Sequence, residues 1–237
     1  MSVMSSAMPL PRWVAPRWHL ALVVGLFLLL AALGTFFRGA PPRETGQRPS
    51  MIPLYLSLMA MEWGLLYFVW KSGLRRAGCT LRELIGGRWS GPGAVVTDVM
   101  IGGGAWLVWL GLELAKDRWM GAADGSRIGG LLPQGALESL AWIGLSLTAG
   151  FVEEVVFRGY LLRQFQALGA GRWIAVLLQA LLFGVSHGYQ GLDACAAIFV
   201  YGILLGALAT IRRSLLPGIV THAWTDIFAG LLSPSMR

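Results

Sequence analysis

Three short polar groups interrupt the most apolar part of this chain. Glu153-Glu154-Val155-Val156-Phe157-Arg158 brings two adjacent carboxyls and an arginine into one run; Phe183-Gly184-Val185-Ser186-His187 ends another run in an imidazole. His222-Ala223-Trp224-Thr225-Asp226 then sets an imidazole and a carboxyl four residues apart. Cleaving an amide takes an activated water, a proton for the leaving amine and a partner for the oxyanion, and carboxyls and imidazoles supply these. On a helix, residues four apart share a face, so Glu154 can pair with Arg158 and His222 with Asp226, whereas Glu153 points about 100° away and has no local partner. Singly, each group has a plainer reading. A helical histidine is commonly a hydrogen-bonded structural residue, a Glu/Arg pair is commonly a packing ion pair, and His222 with Asp226 fits an interhelical hydrogen bond.

The elements that carry these groups are set by composition. The chain has 237 residues, 56% of them hydrophobic and 13% charged, with 11 tryptophans and a positive mean hydropathy, which excludes an ordinary soluble globular domain. A bilayer-spanning helix needs about 20 mostly apolar residues. Such windows fall near residues 19–37, 51–70, 94–115, 135–160, 173–188, 192–211 and 215–232, so the expected fold is all-α, a polytopic transmembrane bundle of about seven to eight helices. The run from Leu20 to Phe37 is long for a signal peptide and no A-x-A site follows it, which favours an uncleaved anchor. Residues 38–50 and 71–92 read as polar loops, the second with room for a short amphipathic surface helix.

The net charge of +7 comes from arginines and lysines in short segments between apolar runs, where the positive-inside bias and anionic lipid account for it without nucleic acid. With alternating spans, Arg12, Arg17, Lys71, Arg75, Arg76, Arg82, Arg88, Arg163, Arg172, Arg212 and Arg213 share one side, taken as cytoplasmic, while Arg38, Arg43 and Arg48 lie opposite. Cys79 and Cys195 fall in a loop and a span, too far apart in setting to be read as a disulfide. Gly184 with Gly188, and Gly202 with Gly206, have the small-residue spacing that lets the fifth and sixth spans approach closely. Glu62, Asp98, Glu113 and Glu138 have no evident partner and are read as helix-end residues; Asp193 is read as the cap of the sixth span.

Ionisable groups inside a span are costly and commonly face the bundle interior. At 1.5 Å per residue, Glu153 lies about 15 Å from Arg163, His222 about 13 Å from Arg213, and His187 about 22 Å from Arg172, so three helices can bring the groups to similar depth. The ordered set EExxxR, FxxxH and HxxxD, with "FRGYLL" and "HGYQG" around it, resembles the CPBP family of intramembrane proteases, which includes type II CAAX prenyl endopeptidases and bacterial bacteriocin-processing or self-immunity proteins. The resemblance covers about residues 135 to 232 and divides the chain into N-terminal helices and loops, 1–134, and a catalytic helical core, 135–237.

The resemblance implies an intramembrane endopeptidase in which Glu153 is the general base, His187 helps orient the water, and His222 and Asp226 hold the tetrahedral intermediate, with Glu154 and Arg158 ordering the site from behind. The eukaryotic CAAX proteases usually have Asn at the last position, so Asp226 departs from them. A carboxylate there must act through His222 or carry a proton, since a bare charge repels an oxyanion. The favoured mechanism needs no cofactor; a zinc ion on Glu153, His187 and His222 is the alternative, as two imidazoles and a carboxylate are an adequate catalytic set. The expected partners are the lipid bilayer and a peptide or protein substrate within it, in a multi-pass protein of the bacterial inner membrane. A non-catalytic immunity-type binding protein and a small transporter are the rival readings, and the absence of an internal repeat lowers the latter.

Overall fold

The computed structural model describes residues 12–37, 48–86, 91–121 and 129–232. Long apolar runs can satisfy their backbone groups in lipid only as helices, and that is what they form. The elements are α1 (Arg17–Phe37), α2 (Ile52–Phe68), α3 (Leu81–Ile85), α4 (Pro92–Met120), α5 (Gly135–Glu153), α6 (Leu162–Ala167), α7 (Arg172–Ser186), α8 (Leu192–Arg212) and α9 (Leu216–Leu232). No strand occurs among the described residues; Gly86 and Ser214 form an isolated bridge. The all-helical membrane bundle expected from composition is thus observed. Five helical stretches are long and apolar enough to cross a membrane, Arg17–Phe36, Ile52–Ala77, Pro92–Trp119, Gly135–Ala167 and Leu192–Arg212. Of the remaining two expected spans, α7 has 15 residues and α9 has 17. The first is cut short because the chain turns at His187 into a 3-10 segment, Gly188–Gln190.

A single rod organises the bundle. Between α5 and α6 the chain winds through a π-helical stretch, Glu154–Leu161, in which every residue is buried. Val152, Val155, Val156, Phe157, Tyr160 and Leu161 from this rod form the centre of the apolar core. Around it lie α1, through the Phe27 ring 4.7 Å from that of Phe157, and α7, through Phe183 at 4.9 Å. The outer faces are apolar too, with Leu22, Leu29, Met100, Leu107 and Leu114 exposed, a surface that lipid covers and water would not tolerate in such extent.

The two ends of the bundle are fastened by polar contacts. At one end Gln164 Oε1 accepts from Val14 N at 3.0 Å and Ala15 N at 3.2 Å, Arg163 donates to the carbonyls of Glu83 and Leu84, and Leu215 N donates to Ile85 O at 2.8 Å. This end also carries Arg12, which donates to Ala77 O, so it gathers basic residues as the charge bias requires. At the other end Glu138 accepts from Arg48, Met51 N and Gln134 N. Of the positions in this count, Arg38, Arg43 and Arg88 lie outside the described residues.

Several local expectations are corrected. Glu138 has Arg48 as partner, Asp98 has Arg212 at 3.2 Å, and Glu113 has Lys116 at 2.6 Å. Asp193 lies in the first turn of α8 and makes no capping bond, the cap position being Gly191, whose positive φ of 104° turns the chain into the helix. Between residues 71 and 92 the surface helix is α3, started by Thr80 and Glu83 in a reciprocal capping box. Helices α7 and α8 do pack closely: a Cβ on Gly184 would meet Cys195 O at 2.6 Å, and one on Gly206 would meet Gln179 Nε2 at 2.6 Å. Gly188, however, lies beyond α7 and packs on Thr35 of α1. Cys79 and Cys195 are not joined.

Candidate active site

Glu153 closes α5 and Glu154 opens the π-helical stretch, so the two carboxyls sit where the winding of the rod changes. Such stretches are rare and frequently coincide with functional sites. Two glycines let α9 come up against this point. A Cβ on Gly150 would lie 2.7 Å from Ala223 N, so the backbones of α5 and α9 meet directly beside His222; a Cβ on Gly218 would lie 2.9 Å from Glu154 Oε2.

The buried side of the site is an ordered chain of charge. Arg158 Nη1 donates to Glu154 Oε1 at 2.8 Å, with both side chains fully inaccessible, and the same oxygen accepts from His222 Nδ1 at 3.0 Å. A carboxylate only accepts, so Nδ1 of His222 carries a proton and Nε2 is directed away from Glu154. Nε2 faces Glu153 Oε2 and Asp226 Oδ2, each at 3.7 Å. The Glu153 and Asp226 side chains are 21% and 33% accessible against 5% for His222, so the site opens on their side. The Arg158 guanidinium also lies over the Phe183 ring, 4.2 Å from its centroid, a cation–π contact that helps hold a charge in an apolar setting.

Phe183 is the hub that brings in the second imidazole. Its ring stands edge-on to His187 at 5.0 Å and to His222 at 5.9 Å. His187, just past α7, places Nδ1 2.8 Å from Phe183 O, so Nδ1–H donates to that carbonyl. Residues Glu153, Glu154, Arg158, His222 and Asp226 are therefore in direct contact, while His187 joins them through Phe183. The His187 ring also lies 6.0 Å from that of Tyr189 on the following turn.

Among the described residues no group of three or more His, Cys, Asp and Glu side chains is arranged to hold a metal ion.

Glu62 is the residue whose placement the sequence reading missed. It is not at a helix end but ten residues into α2, and the charges of Glu153, His222 and Asp226 all act on its carboxyl. The available signal was a lone carboxyl in the middle of an apolar helix, which calls for a partner in the bundle interior.

Comparison with known proteins bears on the C-terminal segment. Residues 135–228 match the family model described as Type II CAAX prenyl endopeptidase Rce1-like. The match is consistent with the CPBP family and spans all three polar motifs; it supports an intramembrane endopeptidase in general terms. No curated protein and no solved structure matches the chain.

Proposed function

We propose, from a C-terminal segment of the type II CAAX prenyl endopeptidase kind, that this protein hydrolyses a peptide bond of a membrane-associated protein or peptide by a glutamate mechanism. The single observation that carries the reading is the double orientation of His222, locked through Nδ1 onto the buried Glu154 and turned through Nε2 toward Glu153 and Asp226. Glu153 takes a proton from water as its oxygen bonds to the scissile carbonyl carbon, and gives that proton to the leaving amine as the C–N bond breaks. His187 helps orient the same water. His222, as imidazolium, offers Nε2–H to the oxyanion, and Asp226 supports that charge from the same helix face rather than meeting the oxyanion itself. Glu154 and Arg158 fix the imidazole from behind.

The catalytic groups of this reading reside in residues 135–237, framed by the helices of residues 1–134. The basic end of the bundle faces the cytoplasm, and the membrane is the inner membrane of a bacterium. The test is cleavage of a library of membrane-anchored peptides by the purified protein in nanodiscs, read by mass spectrometry. Cleavage lost in Glu153→Gln and His187→Ala but kept with a chelator is the expected result. Full activity in both variants would remove the assignment, and loss with chelator alone would replace the mechanism with a metal-dependent one.

A further inference from the structure

Helix α2 runs parallel to α5. Tyr55 stands edge-on to Trp142 with ring centroids 5.4 Å apart, Met59 packs beside Gly144, and Trp63 lies 5.9 Å from Phe151. Advancing together, the two helices bring Glu62 level with the turn that precedes Glu153. Glu62 Oε2 is buried and has no hydrogen-bond partner among the described residues. Its carboxyl acts on the same groups as the catalytic ones, Glu153, His222 and Asp226, and together with Glu153 and Asp226 it acts on the Tyr189 hydroxyl at the mouth beside His187. A buried carboxyl oxygen with no partner is destabilising, and natural proteins keep such a group where a ligand or a water completes it.

The chemistry of the reaction names that completing molecule. The attacking water has two O–H donors. Glu153 receives one of them as the proton that is transferred. The other also needs an acceptor if the water is to be held with a lone pair toward the carbonyl carbon. Among the described residues two buried carboxyl oxygens lack a partner: Glu154 Oε2, which packs against Gly218, and Glu62 Oε2 on α2, outside the segment that matches the endopeptidase family. We propose that Glu62 is a further catalytic residue, the acceptor that holds the second O–H of the attacking water while Glu153 removes the first. This rests on the endopeptidase reading. In the balanced step, water adds to the carbonyl carbon and one of its protons moves to Glu153. The other O–H stays on the tetrahedral carbon, donating to Glu62, and the C–N bond then breaks with the Glu153 proton passing to the amine. The products are a carboxyl group and an amine, and no oxidant or further reactant is involved.

The peptide cleaved fastest by the wild type in the library serves as probe, and kcat and KM are measured for Glu62→Leu, Glu62→Met and Glu62→Gln. Both apolar variants are expected to lose kcat by about tenfold or more with KM nearly unchanged, because the loss is confined to the reacting water. Glu62→Gln keeps a carbonyl acceptor of the same length and is expected to stay within about threefold of wild type. Melting temperatures in detergent are expected to stay the same or rise in the apolar variants, since an unpaired buried oxygen is removed. Wild-type kcat in the apolar variants, an amide variant as impaired as they are, or loss of folding in both apolar variants would each overturn the role. A Glu153→Gln control separates the two ideas: if it cleaves normally, the endopeptidase reading falls, whereas an inactive control beside a fully active Glu62→Leu sinks only Glu62.

Discussion

Glu154 holds the imidazole of His222 and is itself held by Arg158, so one carboxyl oxygen ties two helices together without touching solvent. Removing one member of a buried ion pair leaves the other uncompensated, which costs about 3–5 kcal/mol, whereas replacing both can be close to neutral. Arg158→Met is therefore expected to lower the melting temperature strongly, and the pair Glu154→Gln with Arg158→Met to recover most of the loss; a double variant no more stable than the single one would argue that the pair is not what holds this region. Catalysis separates differently. Glu154→Gln retains an oxygen for His222 Nδ1–H, so its kcat should fall less than that of Glu154→Ala, which leaves the imidazole unfixed. Equal kcat in the two variants would show that His222 is positioned by something other than this bond.

At the scale of elements, what matters is how near α9 comes to α5. Gly150 has Ala223 N against it, and backbone at that range cannot move aside as a side-chain tip can. Gly150→Val is expected to overpack the contact by about 1–3 kcal/mol and to move His222 away from Glu153, so cleavage should drop while the protein still folds. Unchanged cleavage would mean that the two helices slide without disturbing the site. A second element-scale prediction concerns α3, outside the spans. The bond from the Thr80 backbone, with a further contribution from the Cys79 side chain, holds the exposed Glu83 carboxyl below the usual glutamate range. A depressed carboxyl stabilises the folded form above its unfolded value and loses that effect as pH falls through its folded value. Amide protection over residues 80–85, taken relative to the intrinsic exchange rate at each pH, should therefore fall in acid below the ordinary glutamate range, and Glu83→Gln should flatten that dependence. These same elements show what was legible beforehand. The three motif helices could be read because apolar length and four-residue spacing are properties of one segment. The partners of Glu138 and Asp98 lie 90 and 114 residues away in sequence, and neither they nor the Glu154–Leu161 winding nor the turn that ends α7 at His187 is encoded in a local pattern.

For the molecule as a whole, the question is whether residues 135–237 suffice. The family match begins at residue 135, yet the rod at the centre of the bundle is covered from the first half of the chain. Phe27 packs on Phe157, His19 Nδ1 lies 2.7 Å from the Tyr160 hydroxyl, Thr35 meets Gly188, and Arg48 joins Glu138. Each contact falls on the scaffold of a motif residue: the first two grip the π-helical stretch, the third the turn after His187, the last the base of α5. Lipid cannot replace them, because a tail offers dispersion contact but neither a hydrogen-bond partner for Tyr160 nor an ion for Glu138. A fragment of residues 135–237 expressed alone is thus expected to insert but not to cleave the reporter peptide, and co-expression with residues 1–134 as a separate chain should restore cleavage. Restoration should fail when the first fragment carries Glu62→Leu and succeed when it carries Glu113→Gln, whose carboxyl pairs only with neighbours on its own helix among the described residues. Full activity of the 135–237 fragment by itself would show that the first half is dispensable to the chemistry, and would remove Glu62 from it as well.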